Sequence, residues 1–208
     1  MSRMGRRLLS TAWQILDLGQ APEKADCIFV YAGREARKAH GLSLFRQGYA
    51  KRIIFSVARF EWRKFARYDL DDDGSLRRLA EGTPAKQRHF FVSYDGNEVN
   101  VQLTSKGRFG TLSESLAFSE LARRENIISA LVVSSPYHLR RAAGALGYVS
   151  RHQTLTVIPV ASPEADPEHD GTQTTSAGVI AAEFLKYVLY RFLLLPARNL
   201  FGASKARD

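Results

Sequence analysis

Residues 26–57 read DCIFVYAGREARKAHGLSLFRQGYAKRIIFSV, and this stretch decides the fold. DCIFVYA is a short, nearly unbroken apolar run stopped by Gly33, the pattern of a strand buried on both faces and followed by a turn. Residues 34–47 then place Ala39, Leu42 and Phe45 at helical spacing, and Gly48 ends that segment before a second apolar run, RIIFSV at 52–57. The unit is strand, helix, strand.

The same alternation continues outward. Residues 59–88 are less regular: a helix-like piece with Phe60, Phe65 and Tyr68, then an acidic turn, then a polar linker. HFFVSYDGNEVNVQL at 89–103 alternates apolar and polar residues around Asp95-Gly96-Asn97, which predicts a β-hairpin. Helices are expected at 111–126 and 136–146, and strands at 130–135 and 155–161. Alternating helices and β-branched strands predict a Rossmann-like, doubly wound α/β fold with a mainly parallel sheet, the hairpin being an insertion. The expected organisation is an amphipathic helix at 1–24, one α/β domain at 25–195 and a basic tail at 196–208.

Composition agrees with one globular domain: 208 residues, 45% hydrophobic, 25% charged. The single cysteine, Cys27, excludes an internal disulfide and a cysteine-built metal cage. A net charge of +9 and a pI near 9.9 suit nucleic acid, an anionic membrane surface or a small anionic ligand. The basic residues are scattered and carry no zinc-finger spacing, aromatic RNA-binding signature or long basic stripe, so nucleic acid is disfavoured. At the N-terminus Gln14, Asp17 and Gln20 interrupt the apolar pattern before it reaches signal-peptide or membrane-span length. The apolar stretch 177–195 contains Glu183, Lys186 and Arg191, which disfavours a lone span. It reads as a helix packed on the sheet, with a helix lying on the membrane, aided by Arg191, Arg198, Lys205 and Arg207, as the other reading. A cytoplasmic protein is expected, in the second reading peripheral to the inner membrane.

Ligands of such sheets sit beyond the carboxyl ends of the strands, at helix N-termini. That rule selects Gly33, Arg34, Glu35 and Arg37 after the first strand, Ser56 at the end of the second, and Ser134, Ser135, Tyr137, His138, Arg140 and Arg141 after the strand at 130–135. In SSPYHLRRA, Ser135 is a natural N-cap and Pro136 suits the first helical position. His138 and Arg141 then share a face, an arrangement suited to gripping or protonating a phosphate-like group. In TLSE, Thr111 and Glu114 have capping-box spacing. DLDDDG at 69–74 matches the first half of a calcium loop, but Ala80 stands where the bidentate Glu belongs, Glu81 is one place late and Arg77 takes a ligand position. It is read as a solvated acidic turn. His40, His89, His152 and His169 show no mutual metal spacing, so no metal is expected.

ADCIFVYAGREAR at 25–37, LFRQGYAKRIIFS at 44–56, GTLSESLAFSELARR at 110–124 and LVVSSPYHLRRA at 131–142 together resemble the bacterial YdcF/SanA/ElyC-like family, a family built on a domain of unknown function. The resemblance covers roughly 25–161, and EFLKYVLYRF is similar to family C-termini. It implies a Rossmann-like domain in which Gly33, Arg37, Ser56, Thr111, Glu114, Ser134, His138 and Arg141 line one pocket. Three features depart from the family pattern: YAGRE at the first strand end, Ser115 where an Asn is common, and the hairpin in the middle segment. The resemblance also links the chain to cell-envelope metabolism. The expected function is an enzyme acting on an anionic, phosphate-bearing small molecule by hydrolysis or transfer. Arg37 and Arg141 clamp the anion, with Arg34 another residue able to bind it; His138 serves as acid/base, Glu114 or Glu35 orients it or acts as base, and Gly33, Ser134 and Ser135 position the substrate. The alternative is a module binding S-adenosylmethionine or a nucleotide without hydrolysis, which Ser56, where a ribose-binding acid is usual, weakens.

Overall fold

The computed structural model describes residues 3–68, 70, 74–104, 110–163 and 177–194. Its elements in chain order are α1 (Arg3–Leu16), β1 (Cys27–Val30), α2 (Glu35–Arg46), β2 (Ile53–Ala58), the short α3 (Trp62–Phe65), α4 (Ser75–Gly82), β3 (His89–Tyr94), β4 (Val99–Leu103), α5 (Gly110–Arg124), β5 (Ser129–Ser134), α6 (Pro136–Val149), β6 (Thr156–Ala161) and α7 (Ala177–Leu189). The six strands form one mixed sheet in the order β4-β3-β2-β1-β5-β6. β1 runs parallel to β2 and β5, and β5 to β6, while β3 joins β2 and β4 antiparallel. The fold is therefore the expected α/β architecture: mostly parallel, with the hairpin extending one edge.

The hairpin turns where Asp95 Oδ1 accepts hydrogen bonds from the Asn97 and Glu98 N–H groups at 2.9 and 3.0 Å and Gly96 takes φ 102°. The stretch read as a polar linker contains α4, whose Leu76 and Ala80 are buried against the sheet. Its apolar stripe, Leu76, Leu79 and Ala80, is short and set among charged residues, which hid it in the sequence. The calcium-like loop lies mostly outside the described residues, as does the basic tail.

Helices cover both faces of the sheet. Ile28, Val30, Ile53, Phe55, Val57, Phe90, Val92, Leu131 and Val133 pack with Leu42, Leu44, Phe65 and Leu76 of α2, α3 and α4. The alternate residues Cys27, Phe29, Ile54, Phe91, Ala130 and Val132 pack with Phe118, Leu121, Ala142 and Leu146 of α5 and α6. α7 packs on helices, not directly on the sheet as read from sequence: its Ile180 joins Trp13 and Leu16 of α1 and Tyr137 of α6. Among the described residues no helix is long and apolar enough to cross a membrane.

Because β1 lies between β2 and β5, the connections leaving β1 and β4 go to opposite faces, and the sheet has its topological switch point at the carboxyl ends of β1 and β5.

Candidate functional site

At that switch point one face of the sheet changes character in a single layer. Continuing the parallel register, Tyr31 falls level with Ser56 and Ser134, and antiparallel pairing sets His89 beside Ala58 at the same end. Ser56, Tyr31 and Ser134 thus succeed the apolar row Ile54, Phe29 and Val132 on the α5/α6 face, and on β3 His89, one step beyond Phe91, reaches the same end. The helices above repeat the change: Phe118 gives way to Ser115, Glu114 and Thr111 on α5, and Ala142 to His138 on α6. All these polar residues are buried.

Burial without partners would be costly, and the layer is densely bonded. Ser134 Oγ and His138 Nδ1 share a hydrogen bond of 2.6 Å, and Thr111 Oγ1 and His138 Nε2 one of 3.2 Å. Arg141 Nη1 donates to Thr111 Oγ1 at 2.5 Å, while its Nε and Nη2 donate to Glu183 Oε2 of α7 at 3.0 and 2.7 Å. Tyr31 Oη meets Ser115 Oγ at 2.6 Å and donates to the Ala142 carbonyl at 3.2 Å. A tautomer with Nδ1–H donating to Ser134 and Nε2 accepting the Thr111 proton satisfies both histidine nitrogens. Burial, then the positive charges of Arg37, Arg141 and Lys186, hold His138 neutral, well below the usual histidine range.

A second cluster adjoins it. Ser56 Oγ and His89 Nε2 share a 2.7 Å hydrogen bond, and Glu114 Oε1 stands 3.6 Å from the same nitrogen. Burial, with the Glu61 carboxylate adding to it, pushes the Glu114 carboxyl up to about 8, against the pull of Arg37, Lys38 and Arg141. Glu114 therefore carries its proton at neutral pH and is a proton donor in a water-poor site. Serine and glutamate share one nitrogen of His89, whereas a nucleophilic triad places the acid on the opposite nitrogen, so this is not a serine-hydrolase constellation.

The first turn of α2 splits the cations between the buried layer and an open cleft. Arg37 Nε donates to Ser135 Oγ at 2.8 Å and its Nη1 to the Ala32 carbonyl at 2.5 Å. Gly33 has φ 138°, which favours glycine, and a Cβ there would lie 2.5 Å from that Nη1 and displace the folded-back guanidinium. Lys38 turns the other way and pairs with Glu61. The cleft, about 220 Å³, is lined by Gly33, Arg34, Glu35, Lys38, Phe60, Glu61, Lys64 and Tyr68.

Gly33, Arg37, Ser56, Thr111, Glu114, Ser134, Ser135, His138 and Arg141 thus gather around one strand-end layer. Glu35 does not reach it: its carboxylate is exposed, 4.0 Å from Arg67. Tyr137 faces away, against Trp13 at 5.9 Å between ring centroids, with the Arg34 guanidinium over its ring at 5.6 Å. Ser135 occupies the N-cap position but makes no side-chain cap bond, because its hydroxyl serves Arg37. The capping-box reading of Thr111 and Glu114 is likewise superseded: α5 already starts at Gly110, and the two side chains reach Arg141, His138 and His89. Sequence reasoning missed His89, Lys38, Glu61 and Glu183. For His89 part of a signal was present, since the period of 2 that buries Phe91 puts His89 on the same face; its approach to Ser56 depends on strand pairing.

Among the described residues no group of three or more His, Cys, Asp or Glu side chains is placed to hold a metal ion. Comparison with known protein families, curated proteins and solved structures found no match to this chain.

Proposed function

We propose that the protein is an enzyme that binds an anionic, phosphate-bearing small molecule at the carboxyl ends of β1, β2 and β5 and transfers or hydrolyses its phosphate-linked group. The observation that carries this reading is the buried polar layer at the switch point, in which Glu114 stands 3.6 Å from His89 in the field of Arg37 and Arg141. The cleft over Gly33 admits the ligand, and Arg37 and Lys38 meet its anion. Water or an acceptor hydroxyl bonds to phosphorus as the P–O bond to the departing group breaks; Glu114 gives its proton to the departing oxygen, and His89 takes the proton of the attacking oxygen and passes it back to Glu114. His138, bonded through both nitrogens, positions Thr111 and Ser134, which assigns it less chemistry than its sequence pattern suggested. Arg141, tied to Glu183 and Thr111, acts mainly through its charge. The resemblance to the YdcF/SanA/ElyC-like family adds an envelope precursor as substrate class. Binding of S-adenosylmethionine or a nucleotide without turnover is the second reading, favoured by the Phe60 and Tyr68 rings in the cleft.

The test is a thermal-shift series with pyrophosphate, sugar phosphates, nucleoside diphosphates and S-adenosylmethionine on the native chain and on Arg37→Gln. A ligand at about 100 times its Kd adds roughly 2.7 kcal/mol. Stabilisation by phosphate esters that Arg37→Gln removes supports the enzyme reading. Stabilisation by S-adenosylmethionine alone supports the second, and indifference to every anion overturns the first.

A further inference from the structure

α7 is apolar on both sides. Its inward side buries Ile180, Glu183 and Tyr190, and sets Phe184 and Tyr187 against α1 and α6. Its outward side presents Ala181, Ala182, Leu185, Leu189 and, in the wide helical turn that follows (Tyr190–Leu194), Phe192. Leu185 is 70% exposed and Phe192 66%, and with Leu189 they recur at i, i+4 and i+7 along one row. A surface helix of a globular protein normally turns charge to water on that side; this one turns leucine and phenylalanine.

Charge identifies what covers it. The sequences of α1 and of residues 177–194, two segments packed together, contain Arg3, Arg6, Arg7, Lys186 and Arg191 and a single acid, Glu183. That acid is turned inward onto Arg141 and Lys186. An apolar row beside cations with no outward carboxylate on either helix complements an anionic lipid surface. A second copy of the chain would bring the same cations against these, and the row stands on a convex helix rather than in a groove that would receive a peptide. At 13 residues α7 is far short of the roughly 20 that a span requires, so it lies in the plane of the interface.

We infer that the outward row of α7, with the exposed cations Lys186 and Arg191 of its own segment and Arg7 of the neighbouring α1, docks the protein on an anionic lipid surface. Leu185, Leu189 and Phe192 enter the acyl boundary while the arginines meet headgroup phosphates. The outward row lies on the side of α7 away from Glu183, the residue that joins this helix to the ligand layer through Arg141.

Flotation of the full chain with vesicles tests it, using phosphatidylcholine alone or with about one-third phosphatidylglycerol. The chain should float with the anionic vesicles only, and salt near 0.5 M, where screening is within about 4 to 5 Å, should release it. Leu185→Gln with Phe192→Gln should lower partitioning on the order of a hundred-fold while leaving the melting temperature unchanged. Phe192→Trp provides a reading that needs no destabilised variant: the emission it adds to that of the native chain should shift to the blue with anionic vesicles. Equal flotation of the double glutamine variant, equal binding to neutral vesicles, or an added tryptophan emission that vesicles leave unmoved would each overturn the inference. So would a lipid-free dimer that the double variant dissolves, because the row would then belong to a second copy.

Discussion

The two faces of the sheet differ most where the strands end. Towards α2 and α4, Val30, Phe55, Val57, Phe90 and Val133 stay apolar and fully buried up to the carboxyl ends. Towards α5 and α6, the same strands place Tyr31, Ser56, His89 and Ser134 at that level. Strand propensity and ladder pairing act on both faces alike, so they do not produce the difference. One face holds the fold together by apolar burial; the other gives up that burial over one layer and keeps hydroxyls, imidazoles and a carboxyl instead. Such a layer adds little net stability even when every group is bonded, since each hydrogen bond replaces one to water. In the function proposed above, this layer is the ligand site, and the proposal therefore rests on one side of the sheet.

The largest effect should come from forcing the polar pattern onto the apolar face. Val57→Ser opens a small cavity and puts a hydroxyl into the apolar cluster of Phe55, Phe65 and Phe90. Cavity and desolvation together should cost about 3 kcal/mol in urea denaturation. A cost below about 0.5 kcal/mol would mean that this face tolerates polarity after all, as exposed surfaces do.

The next effect is electrostatic and belongs to the polar face alone. Glu114 has its folded carboxyl raised from 4.5 to about 8, so between those values the folded chain holds a proton that the unfolded chain has lost. Its contribution is fully present below pH 4.5 and is lost as pH rises through about 8. His138 is held neutral when folded, so its contribution is lost as pH falls below 6.5. The two slopes oppose one another up to pH 6.5 and only the Glu114 slope remains above it. Stability should therefore fall between pH 6.5 and 8, by up to about 1.4 kcal/mol per pH unit. Melting temperatures across that range should fall for the native chain and stay level for Glu114→Gln. Parallel curves would place the Glu114 proton elsewhere.

Much of this was legible locally. The run into Gly33, the Asp95-Gly96-Asn97 turn and the Pro136 helix start are signals carried within a few residues, and the elements they predict are present. The strand-end rule also picked out Arg37, Ser134, His138 and Arg141 before any register was known. What escaped depended on which strands are neighbours. His89 matters because antiparallel pairing brings it next to β2, 33 residues away from Ser56 in sequence. Glu183 meets Arg141 across 42 residues and through a helix–helix contact. Glu35 and Tyr137 had the right position in the chain, but helical rotation turns one to solvent and the other onto Trp13.

The smallest effect mirrors the first, removing a hydroxyl from the polar face instead of adding one to the apolar face. Tyr31→Phe keeps the ring, which packs at 4.9 Å on Phe29 and stands edge-on to His138 at 5.9 Å. The lost hydroxyl strands no partner: Ser115 Oγ still donates to the Thr111 carbonyl at 2.8 Å, and the Ala142 carbonyl lies within the helical ladder of α6. The cost should be about 1 kcal/mol or less, well under that of Val57→Ser, because a hydrogen bond is exchanged while apolar contact is retained. The imidazole of His138 should keep its shift and tautomer in NMR spectra, since its hydrogen bonds run to Ser134 and Thr111. If Tyr31→Phe proved the more damaging of the two, the fold would rest on its bonded polar layer, and that layer would then be structural before it was a ligand site.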